Sequence, residues 1–110
     1  MILPPPGTLL GEVEGIPDPG GVVANWAEAP VILARKGETV RAYLNVCPHA
    51  GRPLNLPNGK VFAHGGDTLI CPAHGAVFDI ESGACAGGPA GASGLTPVSV
   101  DVRNGNVYAA

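Results

Sequence analysis

The chain has few aromatic and few basic residues. Aromatic side chains make up 5% of its 110 residues, and six Lys or Arg stand against nine Asp or Glu, for a net charge of −3. Proteins that bind single-stranded nucleic acid stack bases on aromatic side chains, and nucleic-acid binders in general carry a basic patch. We therefore expect no nucleic-acid partner.

Long apolar runs are also missing. No stretch approaches the ~20 apolar residues that a membrane-spanning helix needs. The N-terminal segment, residues 1–6, has no basic region followed by an apolar run, so it does not have the pattern of a signal peptide. We expect a cytoplasmic protein that does not enter a membrane.

Glycine and proline are abundant, with 17 Gly and 12 Pro, yet 45% of the residues are hydrophobic. The apolar residues follow strand patterns, and no window keeps a 3.6-residue period, so the composition predicts a loop-rich, all-β protein. A length of 110 residues is near the commonest domain size. We expect one domain over residues 1–110.

Two hairpins are predicted from local signals. Residues 31–35 and 39–44 are apolar runs on either side of Lys36-Gly37-Glu38. Residues 98–102 alternate strictly, and Asn104-Gly105 follows them, which is the strongest short signal for a hairpin.

Shorter elements are predicted around these hairpins. We expect short strands over 8–10, 68–70 and 77–80, one helical turn within 22–29, and a loop over the glycine-rich residues 83–94.

Two short motifs each offer one thiolate and one imidazole. Cys47 and His49 are separated by one residue, Cys71 and His74 by two, and 21 residues lie between the motifs. Thiolate and imidazole both suit iron, and the same four donors could also hold zinc. Zinc sites more often pair cysteines in one motif and histidines in another, whereas here each motif mixes the two. The zinc site and a chance arrangement of structural residues remain the alternatives.

The residues around these motifs resemble the Rieske [2Fe–2S] proteins. Residues 45–54 are similar to the first cluster loop of that family, residues 69–79 to the second, and residues 87–92, with Gly88-Pro89-Ala90, to its proline loop. The resemblance implies a small antiparallel Rieske-like β-sandwich with a cluster-binding subdomain of two loops. It also implies one [2Fe–2S] cluster per chain, with two Cys on one iron and two His on the other. The implied ligands, of both cofactor and metal, are Cys47, His49, Cys71 and His74.

Departures from one branch of the family carry information on the potential. The branch of the cytochrome bc complexes has a disulfide between its cluster loops, and here the corresponding positions are Arg52 and Ala73. That branch also has Ser and Tyr hydroxyls that donate to cluster sulfurs, and here Ala76 and Phe78 stand at those positions. Because such hydrogen bonds stabilise the more negative reduced state, their absence indicates the low-potential, soluble branch.

The resemblance implies a function in electron transfer. We expect a ferredoxin that passes single electrons from a reductase to an oxygenase, more an electron carrier than an enzyme by itself. The alternatives are a small Rieske-like subunit of a larger oxidoreductase such as nitrite reductase, and a non-catalytic metal-binding or regulatory module. An apolar rim of Pro48, Pro72 and Pro89 is the expected docking surface for redox partners. Cys85 lies outside both loops and is expected to be dispensable, with a thiol that fits a reducing compartment.

Overall fold

The computed structural model of the protein describes residues 4–24, 26, 31–46, 48, 53–72, 75–87 and 94–110. These residues form short strands and a single turn of 3-10 helix, Val13–Gly15. The strands are β1 (Leu9–Glu12), β2 (Gly20–Val23), β3 (Val31–Lys36), β4 (Thr39–Leu44), β5 (Lys60–Val61), β6 (Ala63–His64), β7 (Thr68–Ile70), β8 (Val77–Asp79), β9 (Cys85–Gly87), β10 (Pro97–Val98), β11 (Val100–Arg103) and β12 (Asn106–Ala109). In this part of the chain, no helix is long and apolar enough to span a membrane.

The strands form three antiparallel sheets. The first has the order β1-β12-β11, the second β10-β4-β3-β2-β5, and the third β6-β7-β8-β9. All the pairings within them are antiparallel. The predicted all-β, antiparallel fold class is therefore confirmed.

Strand β3 lies between two hydrophobic clusters, and this position explains why its sequence is continuously apolar. Val31 and Leu33 pack in one hydrophobic cluster with residues of the three-stranded sheet, among them Leu10. Ile32 and Ala34 point the other way, into a second cluster shared with the four-stranded sheet. Because successive side chains of a strand alternate in direction, a strand covered on both faces needs apolar residues at every position.

Both predicted hairpins are present. Strands β3 and β4 pair from Val31↔Leu44 to Lys36↔Thr39, as the sequence predicts. Strands β11 and β12 pair around Asn104 and Gly105, whose φ values are +52° and +78°. Positive φ at both central residues is the requirement of a two-residue type I′ turn.

Some local predictions differ from the structure. The alternating run 98–102 is divided at Ser99, because β10 pairs with β4 whereas β11 pairs with β12. Residues 22–23 belong to strand β2 and not to a helical turn, and residues 25 and 27–29 of that prediction lie outside the described residues. Residues 85–87, predicted as loop, form strand β9 because β8 offers them an edge to pair with.

Candidate iron–sulfur centre

Cys71 lies at the mouth of the β7–β8 hairpin and is buried, with 0% of its surface exposed. Its backbone N–H donates to the carbonyl of Ala76 at 2.8 Å, and its carbonyl accepts from the N–H of Gly75 at 2.9 Å. These two bonds close the base of the second loop on both sides of the cysteine. The loop is thereby held to the end of the sheet, and the direction of Cys71 is fixed by the strand that precedes it.

Gly75 shows why the second loop needs a glycine at this point. Its φ is +77°, a conformation that side chains with a Cβ rarely adopt. A Cβ built on Gly75 would meet no protein atom within 4 Å, so the glycine faces open space. The described part of this loop thus combines a buried thiol with room beside the backbone, which fits a bound inorganic cluster.

The first loop is closed by a buried asparagine. Asn45 is 6% exposed, and its Oδ1 accepts a hydrogen bond from the backbone N–H of Leu54 at 2.7 Å. Its Nδ2 donates to Oδ1 of Asn55 at 2.8 Å, and Asn55 in turn donates to the carbonyl of Leu56 at 2.9 Å. The side chain therefore bridges the two ends of the loop and satisfies a backbone donor that would otherwise be buried without a partner.

The bases of the two loops meet in one hydrophobic cluster. Leu54, from the first loop, and Cys71 and Ala76, from the second, are all 0% exposed and belong to it. Packing in this cluster brings together two chain segments that are far apart in the sequence. The described bases of the two loops are thus neighbours in the structure.

Of the four predicted ligands, the structure describes Cys71. Cys47, His49 and His74 lie outside the described residues, as do residues 88–92 of the predicted proline loop. Among the side chains that are described, no group of three or more His, Cys, Asp or Glu could hold a metal ion. The ligand set remains a prediction from the motifs, to which the structure adds the position of Cys71.

Tyr43 ties strand β4 to the β8–β9 turn of the four-stranded sheet, and the motifs give no hint of this role. The side chain is 1% exposed, and its Oη donates to the carbonyl of Ile80 at 2.6 Å. Burial raises the pKa of Tyr43 to about 12. A Cβ on Gly83 would lie 2.6 Å from the tyrosine ring, so only glycine allows this approach. The one signal that the sequence offers for this role is the single tyrosine within strand β4.

Gly83 also contacts the segment that follows the predicted proline loop. Its carbonyl accepts from the N–H of Leu95 at 2.8 Å, and a Cβ on Gly94 would lie 2.8 Å from the same carbonyl oxygen. The backbone that follows residues 88–93 is therefore held directly against the β8–β9 turn.

Charged residues gather at the far end of the four-stranded sheet. Lys36 Nζ lies 2.8 Å from Asp67 and 3.3 Å from Glu81, and the Arg41 Nε donates to the Glu81 carbonyl at 3.2 Å. The hydrogen bond with Asp67, followed by that with Glu81, raises the pKa of Lys36. By contrast, the described residues at the loop end, within 45–56 and 69–78, carry no charge. The described part of the loop end is thus uncharged, whereas the opposite end of the sheet carries ion pairs.

Cys85 lies on strand β9, outside the sequence ranges of the predicted loops. It is partly buried on β9, packs against the hydrophobic cluster, and its Sγ lies 3.5 Å from the carbonyl oxygen of Gly87. Its strand register places it opposite Phe78. The exclusion of Cys85 from the ligand set stays a prediction.

The fold is shared with ferredoxins of known structure. The ferredoxin of carbazole 1,9a-dioxygenase from Nocardioides aromaticivorans IC177 superposes with a TM-score of 0.78 and 20% identity, over 96% of this chain and 98% of that one. The Sphingomonas yanoikuyae B1 ferredoxin superposes with a TM-score of 0.74 and 24% identity, over 94% of this chain and 96% of that one.

A third similar structure is a complex of reduced oxygenase and oxidized ferredoxin in carbazole 1,9a-dioxygenase. One of its chains superposes with a TM-score of 0.73 and 25% identity, over 93% of this chain and 90% of that one. No curated protein sequence matched the chain. The sequence model of the Rieske [2Fe–2S] domain matches residues 9–104, which include both motifs. The chain therefore belongs to the Rieske [2Fe–2S] domain family.

Proposed function

We propose that this protein is a ferredoxin that accepts single electrons from a reductase and delivers them to an oxygenase. The observation that carries the proposal is the two-way coverage with a ferredoxin, 96% of this chain and 98% of that one, which leaves no large part of either chain unmatched. One chain of a complex of an oxygenase with a ferredoxin also has this fold. Oxygenation chemistry is then a task of the partner, and this chain supplies electrons.

We propose Cys47, His49, Cys71 and His74 as the ligands of one [2Fe–2S] cluster per chain, within a single domain of residues 1–110. Two thiolates on one iron and two imidazoles on the other are the donor set of this family. The cluster, when bound, takes up and releases one electron. Residues 45–54 and 69–79 hold it, and residues 87–92 cover it.

The surroundings of Cys71 support a low potential. Ala76 and Phe78 are both 0% exposed and pack with Cys71 in the same hydrophobic cluster. Neither side chain has a hydroxyl group that could donate to a sulfur of the iron–sulfur cluster. These two side chains therefore add no hydrogen bond that would stabilise the extra negative charge of the reduced state. We place the midpoint toward the low end of the family range of about −150 to +300 mV.

We also propose that the protein works in the cytoplasm. Cys85 has a free thiol that is partly exposed, and such thiols persist in reducing compartments.

The cluster assignment is tested with two variants, each of which lacks one thiol. Cys71→Ser should lose the visible absorbance and the EPR signal of the cluster, and Cys85→Ser, as the matched control, should keep both. Anaerobically purified protein should contain two irons and two acid-labile sulfides per chain. One zinc and no sulfide, or loss of the cluster in Cys85→Ser, would contradict the assignment.

Electron delivery is tested with the terminal oxygenase of carbazole 1,9a-dioxygenase from N. aromaticivorans, for which a structure with this domain is known. Reduced protein is mixed with oxidised oxygenase in a stopped-flow instrument, with the ferredoxin of that system as the positive control. We expect reoxidation of this protein to accompany reduction of the oxygenase. No transfer above the level of Cys71→Ser would contradict delivery to an oxygenase.

A further inference from the structure

An apolar row crosses the solvent face of the four-stranded sheet at its loop end. Ile70 pairs with Val77, and Val77 pairs with Gly87. The N–H of Ile70 donates to the carbonyl of Phe62 at 3.0 Å, which continues the β6–β7 register by one residue. These four residues, the Phe62 row, lie on the face opposite the buried Leu69, because strand side chains alternate in direction.

Phe62 is the most exposed large hydrophobic residue of the described chain, with 60% of its surface in contact with solvent. It stands where the chain leaves the five-stranded sheet, after buried Val61, and enters the four-stranded sheet at Ala63. Its contribution to the sheet is a backbone carbonyl, which any residue could supply. The fold therefore does not require an aromatic ring at this position.

Apart from Phe62, the row belongs to the second predicted cluster loop and to the start of the predicted proline loop. Ile70 directly precedes Cys71, Val77 directly follows Ala76, and Gly87 directly precedes residues 88–93. From the geometry of antiparallel strands, Phe62 lies about 7 Å from Cys71 between Cα atoms. None of the row residues is charged, and the ion pairs of Lys36 with Asp67 and Glu81 lie at the far end of this sheet.

We propose that the Phe62 row is part of the surface on which the oxygenase docks, an inference that rests on the proposed function. Redox complexes bury less than about 1,200 Å² in total, so each partner covers a patch with a radius of roughly 14 Å. A partner centred on the loops would reach the row, since the row begins one strand away from Cys71. Aromatic residues are enriched and charged residues depleted in the cores of such interfaces.

A second copy of the chain is a less suitable occupant of the row. A copy seated there would cover the loop end as well, and would block the approach of the proteins with which a carrier exchanges electrons. An uncharged row suits a partner that binds briefly, because apolar contacts act only at short range and add no long-range electrostatic attraction. The association rate should accordingly depend weakly on ionic strength.

The test compares Phe62→Ser with Val102→Ser. Val102 is 48% exposed on β11 of the three-stranded sheet, so its substitution removes a similarly exposed apolar side chain from another sheet. Stopped-flow reduction of the carbazole 1,9a-dioxygenase oxygenase is measured at subsaturating concentration. We expect Phe62→Ser to lower the second-order rate constant about tenfold, the effect of an interface anchor. Val102→Ser should leave it unchanged, and Phe62→Leu should restore most of the loss.

The possible outcomes are separated by further measurements on the same variants. The visible spectrum and midpoint potential should be the same in all variants, so that a slower rate reports docking. An unchanged rate in Phe62→Ser, or an equal loss in Val102→Ser, would overturn the docking assignment and leave the proposed function intact. A loss confined to reduction by the reductase, or a change confined to the sedimentation of the protein alone, would assign the row to the reductase or to a second copy. Absence of transfer by the wild-type protein would overturn the proposed function and the docking surface together.

Discussion

Removal of one oxygen atom from Tyr43 should measurably weaken the attachment of strand β4 to the β8–β9 turn. The hydroxyl is fully enclosed and donates to the carbonyl of Ile80 at 2.6 Å, while the ring fills space beside Gly83. Tyr43→Phe keeps the ring and leaves that carbonyl without its donor. A buried polar group without a partner costs about 1–3 kcal/mol, so we expect a loss of about 2 kcal/mol in the free energy of unfolding. For a domain of this size the thermal midpoint should fall by about 10 °C.

The assay is urea unfolding of the cluster-loaded protein under anaerobic conditions, followed by far-UV circular dichroism. Tyr108→Phe is the control, since Tyr108 is only partly buried and its hydroxyl has a long 3.4 Å contact with Asn106. That variant should lose less than about 0.5 kcal/mol, as is usual for surface substitutions. Equal losses in the two variants would refute the role assigned to Tyr43.

The dependence on pH gives a second check of the same residue. Burial raises the pKa of Tyr43 to about 12, above the value of about 10 in the unfolded chain. The stabilisation by the neutral phenol is therefore complete below pH 10 and is lost as the pH rises from about 10 through 12. Because phenylalanine does not titrate, the difference in stability between wild type and Tyr43→Phe should narrow over that interval. A constant difference would contradict the burial of the hydroxyl.

Three further substitutions have definite expected outcomes. Asn45→Ala removes the acceptor of a buried backbone N–H and should cost about 1–3 kcal/mol in urea unfolding, with faster loss of the visible absorbance. Gly83→Ala places a Cβ 2.6 Å from the Tyr43 ring, so it should destabilise the protein well beyond Gly37→Ala, which shares a positive φ (+61°) but meets open space; similar losses would show that the close approach is unimportant. Phe78→Tyr should raise the midpoint potential in voltammetry if its hydroxyl reaches a cluster sulfur, and a lower midpoint would contradict the explanation of the low potential.

Elements with a local signal were predictable from the sequence. The β11–β12 turn depends on two adjacent residues, Asn104 and Gly105, that tolerate positive φ, and the structure has both in that conformation. The β3–β4 hairpin likewise combines two apolar runs with a central glycine. In each case the residues that decide the conformation lie within a few positions of one another.

Elements that depend on a distant partner were not predictable. Strands β5 and β6 are two residues long, and a pattern of period two cannot be recognised over such a length. Strand β9 lies in a glycine-rich segment and exists because β8 presents a free edge to it. The division at Ser99 follows the choice of two different sheets by adjacent residues, which depends on the three-dimensional arrangement of β4 and β12.

The candidate site shows the same division between chemistry and placement. The types of the donor atoms can be read from the two motifs. However, a separation of 21 residues along the chain does not determine the distance between the two motifs in space. That distance depends on the packing of Leu54 and Cys71 in one hydrophobic cluster, and on the hydrogen bond of Asn45 that closes the first loop. An iron–sulfur cluster with two irons needs its four ligands in place at the same time, so a small displacement of one loop would strain the metal–ligand bonds. A side chain outside the ligand set can therefore determine whether the iron–sulfur cluster is retained, which is why the predicted loss for Asn45→Ala includes the visible absorbance as well as the stability of the fold.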